Sequence, residues 1–264
     1  TGLALMARPK MIELSEKLRI GDGAYNHLEQ VGEAEELYRS LTSAIRQAST
    51  IQKLVTPEAR RVFSGIYGHF LASASGAPSR IVLVCSASSG EGATTVAAGL
   101  AIAAAGKKTS RVLLIDGNCY SSGATDAFGV SGSKGLSDLL AGSIGTNFSF
   151  SKTMISNLTL MGTGLAPGNH MQALDPPKFR LLLDKLGGIY EFILVDGPAI
   201  NAYPESLLYA SQVDRVLLVI RAGVSRGPVV AKALSSLSAA GCDKVEMVLN
   251  RRTFAIPQKL YKRL

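Results

Sequence analysis

From Cys85 to Ala101 the chain reads CSASSGEGATTVAAGLA. An apolar run, IVLVCS (81–86), leads into this stretch, and a small-residue segment, Thr94–Ala105, leads out of it. Strand, glycine-rich turn and helix in that order can cradle an anion. Glycines let backbone N–H groups approach closely, and the helix start adds partial positive charge. Thr94 stands where such a turn offers a hydroxyl to Mg2+. The strict spacing G-x-x-x-x-G-K-[ST] is met at Gly92 and Thr94. It is missed at Ala87 and at Ala93, where the lysine would stand. Ser89, Gly90, Glu91, Gly92, Ala93, Thr94 and Thr95 are the candidate phosphate-contact positions. A glycine-rich turn with no ligand fits the same letters.

Outward from this turn, apolar runs alternate with helical segments. The candidate strands are IVLVCS, RVLLID, LTLMGT, FILVDG, RVLLVIR and VEMVLN, almost continuous apolar runs of the kind buried on both faces. Between them lie helical segments at Thr94–Ala105, Leu136–Leu140, Pro177–Leu186, Pro204–Ala210 and Pro228–Ala240. The alternation predicts an α/β fold, a parallel sheet with helices on both faces. Two runs end on an acid, Asp116 in RVLLIDGN and Asp196 in FILVDGPA. Ligands bind at the C-terminal strand ends of such sheets, so Thr94, Asp116 and Asp196 are the candidate Mg2+ residues of a nucleotide site.

Ahead of the sheet, two amphipathic patterns predict a helical N-terminal extension. Ala34, Leu37, Tyr38, Leu41 and Ile45 share one face; Ala59, Val62, Phe63, Ile66, Tyr67 and Phe70 share another, with Pro57 in the first turn. The expected organisation is an extension and linker over 1–79, an α/β domain over 80–252 and a basic tail over 253–264. The 264 residues are 47% hydrophobic and 18% charged, which excludes wholesale disorder. The net charge of +8 suits an acidic partner, or plain solubility. Cys85, Cys119 and Cys242 show no metal spacing and read as reduced thiols. His27, His69 and His170 are isolated. No apolar run approaches the roughly 20 residues of a membrane span.

The loop SASSGEGATT, the strand ends LLIDGNCY and ILVDGPA, and the stretches GLSDLLAG (135–142), GLAPGN (164–169), VDRVLLVIRAGVSR (213–226) and VEMVLNRR (245–252) occur in one order. Together they resemble the cytoplasmic domain of the bacterial tyrosine kinases (BY-kinases) of capsule and exopolysaccharide assembly. That family is related to the partition and division-site ATPases and shares their P-loop NTPase-like, three-layer fold. The resemblance covers 57–252. It implies ATP/ADP and Mg2+ as ligands, catalytic roles for Asp116 and Asp196, and Asn250 and Arg251 beside the adenine. It also implies tyrosine autophosphorylation, for which Tyr261 is the candidate acceptor in the tail; a tyrosine anchoring a terminal helix is the plainer reading.

In the loop and the second motif three positions depart from the family pattern, beside Ser64 for the last arginine of its ExxRxxR helix and a tyrosine cluster reduced to Tyr261. Ala93 replaces the loop lysine, Asn118 the second acid of LLIDxDxR, and Tyr120 its arginine. Lys107 and Lys108 lie past the far end of the following helix, roughly 18 Å away, and cannot take the lysine's place. The expected function is that of a degenerate BY-kinase-like protein that binds ATP/ADP weakly with impaired phosphoryl transfer. Its expected setting is cytoplasmic, at the inner face of the cell membrane. Its partner there is a membrane-bound polysaccharide chain-length regulator or co-polymerase, and the chain can also form homo-oligomers through its N-terminal helices. Nucleic acid is not an expected partner. An active tyrosine autokinase and a partition- or positioning-ATPase-like scaffold are the alternatives.

Overall fold

The structure is a computed structural model and describes residues 50–73, 80–107, 109–130, 134–141, 150–164 and 175–252. The first predicted N-terminal helix, the tail with Tyr261, and His27, Lys108 and His170 lie outside these residues. In chain order the elements are α1 (Pro57–Ser73), β1 (Arg80–Ser86), α2 (Ala93–Ala105), β2 (Val112–Asp116), α3 (Gly123–Phe128) and α4 (Leu136–Leu140). There follow β3 (Ser151–Lys152), β4 (Leu158–Met161), α5 (Pro176–Gly187), β5 (Phe192–Asp196), α6 (Glu205–Ala210), β6 (Arg215–Arg221), α7 (Gly227–Ala239) and β7 (Val245–Asn250). The chain divides into two compact units, Thr1–Ile51 and Gln52–Leu264, and all of these elements belong to the second.

The seven strands form one sheet in the order β3-β4-β2-β5-β1-β6-β7. Every pairing is parallel except that of β3 with β4. The alternation of apolar runs and helices dictates this, because parallel neighbours need crossovers and the crossover helices must cover the sheet. On one face Leu83, Cys85, Leu113, Ile115, Ile193 and Val195 meet Phe179 and Leu183 of α5, Tyr209 of α6 and Leu237 of α7. The alternate residues Val82, Val84, Leu114, Phe192 and Leu194 are buried on the other face, where α2 crosses β1, β2 and β5. Tyr67 and Phe70 of α1 bring their rings to Phe192 there, at 5.2 and 6.4 Å between centroids.

Local signals set the helix starts. The Thr56 hydroxyl accepts from Ala59 N–H at 3.3 Å, with Pro57 opening α1. Asp175 accepts from Lys178 N–H at 3.4 Å ahead of the Pro176-Pro177 start of α5. In α2, Gly99 is required by packing: a Cβ there would stand 2.3 Å from the Phe63 ring of α1. Gly99→Ala is therefore expected to cost about 1–3 kcal/mol and to lower the melting temperature. An unchanged melt would show that α1 yields at no cost.

The structure corrects two expectations and adds two elements. Val62 of the predicted apolar face of α1 is exposed. VEMVLN is an edge strand rather than one buried on both faces, with Met247 and Leu249 half open to solvent, because no strand flanks it beyond β6 among the described residues. The short strand β3 and the one-and-a-half-turn helix α3 were not predicted. Both are too brief to leave a periodic signal.

Candidate functional site

The stretch Ala87–Thr95 forms the turn between β1 and α2, and Gly92 caps α2. Gly90 and Gly92 take φ of +82° and +97°, a region that side chains with a Cβ avoid. A Cβ on Gly92 would also fall 2.3 Å from the Asn250 amide nitrogen. That amide donates to Glu91 O at 2.9 Å, so β7 holds the turn from its far side. Asn250 Oδ1 accepts from the N–H of Arg251, whose φ is +55°. Asn250 and Arg251 thus lie beside the turn, Asn250 with its side chain engaged. Ser89, Gly90 and Thr95 are exposed and Thr94 half-buried. Ala93, the first residue of α2, is 9% exposed.

Glu91 is the side chain whose place no local pattern announced. It is 3% exposed, folded back into the protein. One carboxylate oxygen accepts from Ser88 N–H at 2.8 Å, and the other accepts from the Ser225 hydroxyl. Ser225 Oγ in turn accepts from Arg221 N–H at 2.7 Å. The turn is thereby tied to the loop between β6 and α7. Ser225 was not among the sequence candidates, because it is separated from Glu91 by more than a hundred residues.

Asp116 and Asp196 end neighbouring strands and pair in register. Both are fully buried, yet their surroundings differ. Asp116 Oδ2 accepts from the N–H and hydroxyl of Thr125, both at 2.7 Å, and Oδ1 accepts from Asn118 N–H at 3.1 Å. These bonds anchor α3. Burial raises the Asp116 pKa and the three bonds oppose the rise. Neither oxygen of Asp196 has a hydrogen-bond partner. Burial, and then the Asp116 charge, push its pKa well above the ordinary 3.8, while the nearby Thr94 hydroxyl pulls it down without hydrogen-bonding geometry. A buried carboxylate without partners is costly, and a metal-bound water or a hydroxyl donor would satisfy it. Asp196 with Thr94 therefore fits a Mg2+–nucleotide group, whereas the coordination capacity of Asp116 is largely taken by α3.

The other departures also have defined surroundings. Tyr120 stacks on Tyr203 with ring centroids 3.8 Å apart, and its hydroxyl donates to Glu205. Glu205 is buried, with its second oxygen unpartnered. Asn118 Oδ1 and Asn201 Oδ1 are likewise buried without partners. Burial and then Glu205 push the Cys119 thiol up to about 11, and Cys85 higher still, so neither is a ready thiolate. Lys107 sits at the far end of α2 with Nζ 5.6 Å above the Tyr67 ring. His69 pairs with Glu246 at 3.2 Å. A groove of about 520 Å3 at the N-terminal ends of the central strands, lined by Arg111, Arg180 and Asp214 among others, lies at the opposite end of the sheet from the acid-bearing strand ends.

The strand order, the glycine turn leading into α2 and the acids on adjacent strand tips define a P-loop NTPase-like fold. No family model matches the chain. CapB of Staphylococcus aureus, named as a tyrosine-protein kinase, is 30% identical over 191 residues, covering 72% of this chain and 82% of CapB. The crystal structure of the chimerical protein CapA2B2 superposes with a TM-score of 0.68 at 26% identity, over 76% of this chain and 87% of that one. The septum site-determining protein MinD of Pyrococcus horikoshii, complexed with Mg-ADP, gives 0.56 at 26% identity, over 70% and 76%. The chain belongs to the bacterial tyrosine-kinase family of capsule and exopolysaccharide biosynthesis.

Proposed function

We propose that this chain is a BY-kinase family member that keeps a weak Mg2+–nucleotide site and has lost most of its phosphoryl-transfer capacity. One observation carries the reading: the buried, unpartnered Asp196 carboxylate persists beside Thr94 while the position of the loop cation is filled by Ala93. The backbone N–H groups from Ser89 to Thr95 would receive the phosphates, and Thr94 and Asp196 would hold the metal side. Asp116 would act chiefly by positioning α3 over Thr94, since a Cβ on Gly123 at the start of α3 would lie 3.2 Å from Thr94 Oγ1. Mg2+, when bound, neutralises charge on the phosphates. No side chain in the turn can do so, and phosphoryl transfer depends on that neutralisation. Asn118 also lacks the carboxylate that the family places at its position, and it cannot accept a phenol proton.

A protein of this kind works by occupancy rather than turnover. The family setting suggests a partner or regulator role beside a membrane-bound polysaccharide chain-length regulator or co-polymerase, at the inner face of the membrane, in homo-oligomers. Among the described residues no helix is long and apolar enough to cross a membrane. Calorimetric titration with ADP and ATP tests the nucleotide site. The expected dissociation constants are on the order of 0.1–1 mM with Mg2+, with no saturation in EDTA. Absence of binding at several millimolar Mg2+–nucleotide removes the reading. Phosphotyrosine accumulating on the chain with ATP, and lost in Asp196→Ala, returns the active-autokinase alternative.

A further inference from the structure

We infer that Glu91 is the specificity-determining residue of the turn: its inward carboxylate disfavours the more highly charged phosphate chain, so that the site selects a nucleoside diphosphate over a triphosphate. This deepens the nucleotide site proposed for the turn and presupposes it. Both Glu91 oxygens accept hydrogen bonds, from Ser88 N–H at 2.8 Å and from the Ser225 hydroxyl, so both are engaged within the protein. The Ser225 hydroxyl is free to donate because its oxygen is already engaged by Arg221 N–H at 2.7 Å. At 3% exposure the carboxylate is shielded poorly by solvent, and its bond from Ser88 N–H places it against the turn itself. Among the described residues no cation forms an ion pair with it. Ala93 contributes none from the next turn position but one. Glu91 also takes the Ser88 N–H, a donor that the turn would otherwise offer to an anion.

A lysine at position 93 would offset this charge; alanine leaves it unopposed. Each further negative charge on the ligand then meets the same repulsion, which penalises a triphosphate more than a diphosphate. Structurally, Glu91 is replaceable by glutamine: the amide oxygen can accept from Ser88 N–H, and the amide nitrogen can donate to Ser225 Oγ.

The test measures dissociation constants for Mg·ADP and Mg·ATP, and melting temperatures, for the unmodified chain, Glu91→Gln and Ser225→Ala. Glu91→Gln is expected to tighten Mg·ATP by about tenfold and Mg·ADP by less, with little change in melt. Ser225→Ala, which keeps the charge and loses one bond, is expected to retain the diphosphate preference. A residue that merely braces the turn predicts the opposite, glutamine being neutral or weaker. Unchanged or weaker nucleotide binding by Glu91→Gln overturns the inference. So does an unmodified chain that binds Mg·ATP as tightly as Mg·ADP, a readout that stands even where the variant fails to fold. If only Glu91→Gln binds, weak binding by the native turn is refuted and the role of Glu91 stands. If the native chain binds and the variant does no better, the site stands and the role falls. If neither binds, both fall.

Discussion

Ala93→Lys is expected to tighten Mg·ATP binding by about a hundredfold and to raise phosphoryl-transfer turnover by a further tenfold or more. The first figure is the worth of a charge-assisted hydrogen bond to phosphate, about 1.5–3 kcal/mol. The second follows from transition-state electrostatics, where removal of a single donor costs about 3–4 kcal/mol in comparable sites. Position 93 is the first residue of α2 and is 9% exposed, so the lysine stem must run out over the turn to bring its ammonium to the phosphates. Some loss of melting temperature in the nucleotide-free protein is expected, recovered with Mg·ATP. Calorimetry with Mg·ATP and a phosphotyrosine immunoblot read the two effects. In combination with Glu91→Gln the gain should be less than additive, because the lysine also relieves the Glu91 carboxylate. A lysine variant that binds no better than the native chain would mean that the turn cannot present the cation to phosphate at all.

Asp196→Asn is expected to stabilise the nucleotide-free protein by about 1–3 kcal/mol at pH 8, or roughly 5 °C in melting temperature, while weakening Mg2+–nucleotide binding at least about tenfold. Asp196 is an acid whose folded pKa lies well above its ordinary 3.8, raised by burial and then by Asp116. The folded state therefore binds this proton more tightly than the unfolded chain does. Stability is greatest below the unfolded pKa and falls as pH rises through the folded one. The stabilisation by asparagine should accordingly shrink as pH falls through the folded pKa and toward 3.8, below which the carboxyl is protonated in both states. Mg2+–nucleotide, which needs the ionised form, should protect the native protein more at pH 8 than at pH 6. Melts across pH with and without Mg·ADP read both trends. A native-like pH profile in the asparagine variant would show that Asp196 carries no buried charge to relieve. The sequence pattern alone marked Asp196 as a ligand, while its burial marks it as a group held at a cost to stability.

Much of the fold was legible because burial on both faces of a parallel sheet writes itself into the chain as apolar runs. β2, β5 and residues 81–86 of β1 are buried, and each strand was read within a residue of its bounds. The helix start at Pro57 was legible for a different reason, and that at Pro176 was read one residue late at Pro177, since proline acts within the first turn. β7 misled because its composition is that of a core strand, whereas exposure depends on which strand ends up at the edge.

The site divides along the same line. The amino-acid sequence by itself determined the glycine turn, the missing cation at Ala93 and the acids at the ends of β2 and β5, because these are contiguous letters whose chemistry is local. Only the tertiary structure decided that Asp116 is spent on Thr125, that Asp196 is left without a partner, and that Glu91 turns inward to Ser225 with Asn250 bracing the turn from β7. Hydrogen-bond satisfaction in a buried site depends on which side chains the strand order brings together, and residues far apart in the chain carry no local mark of that meeting.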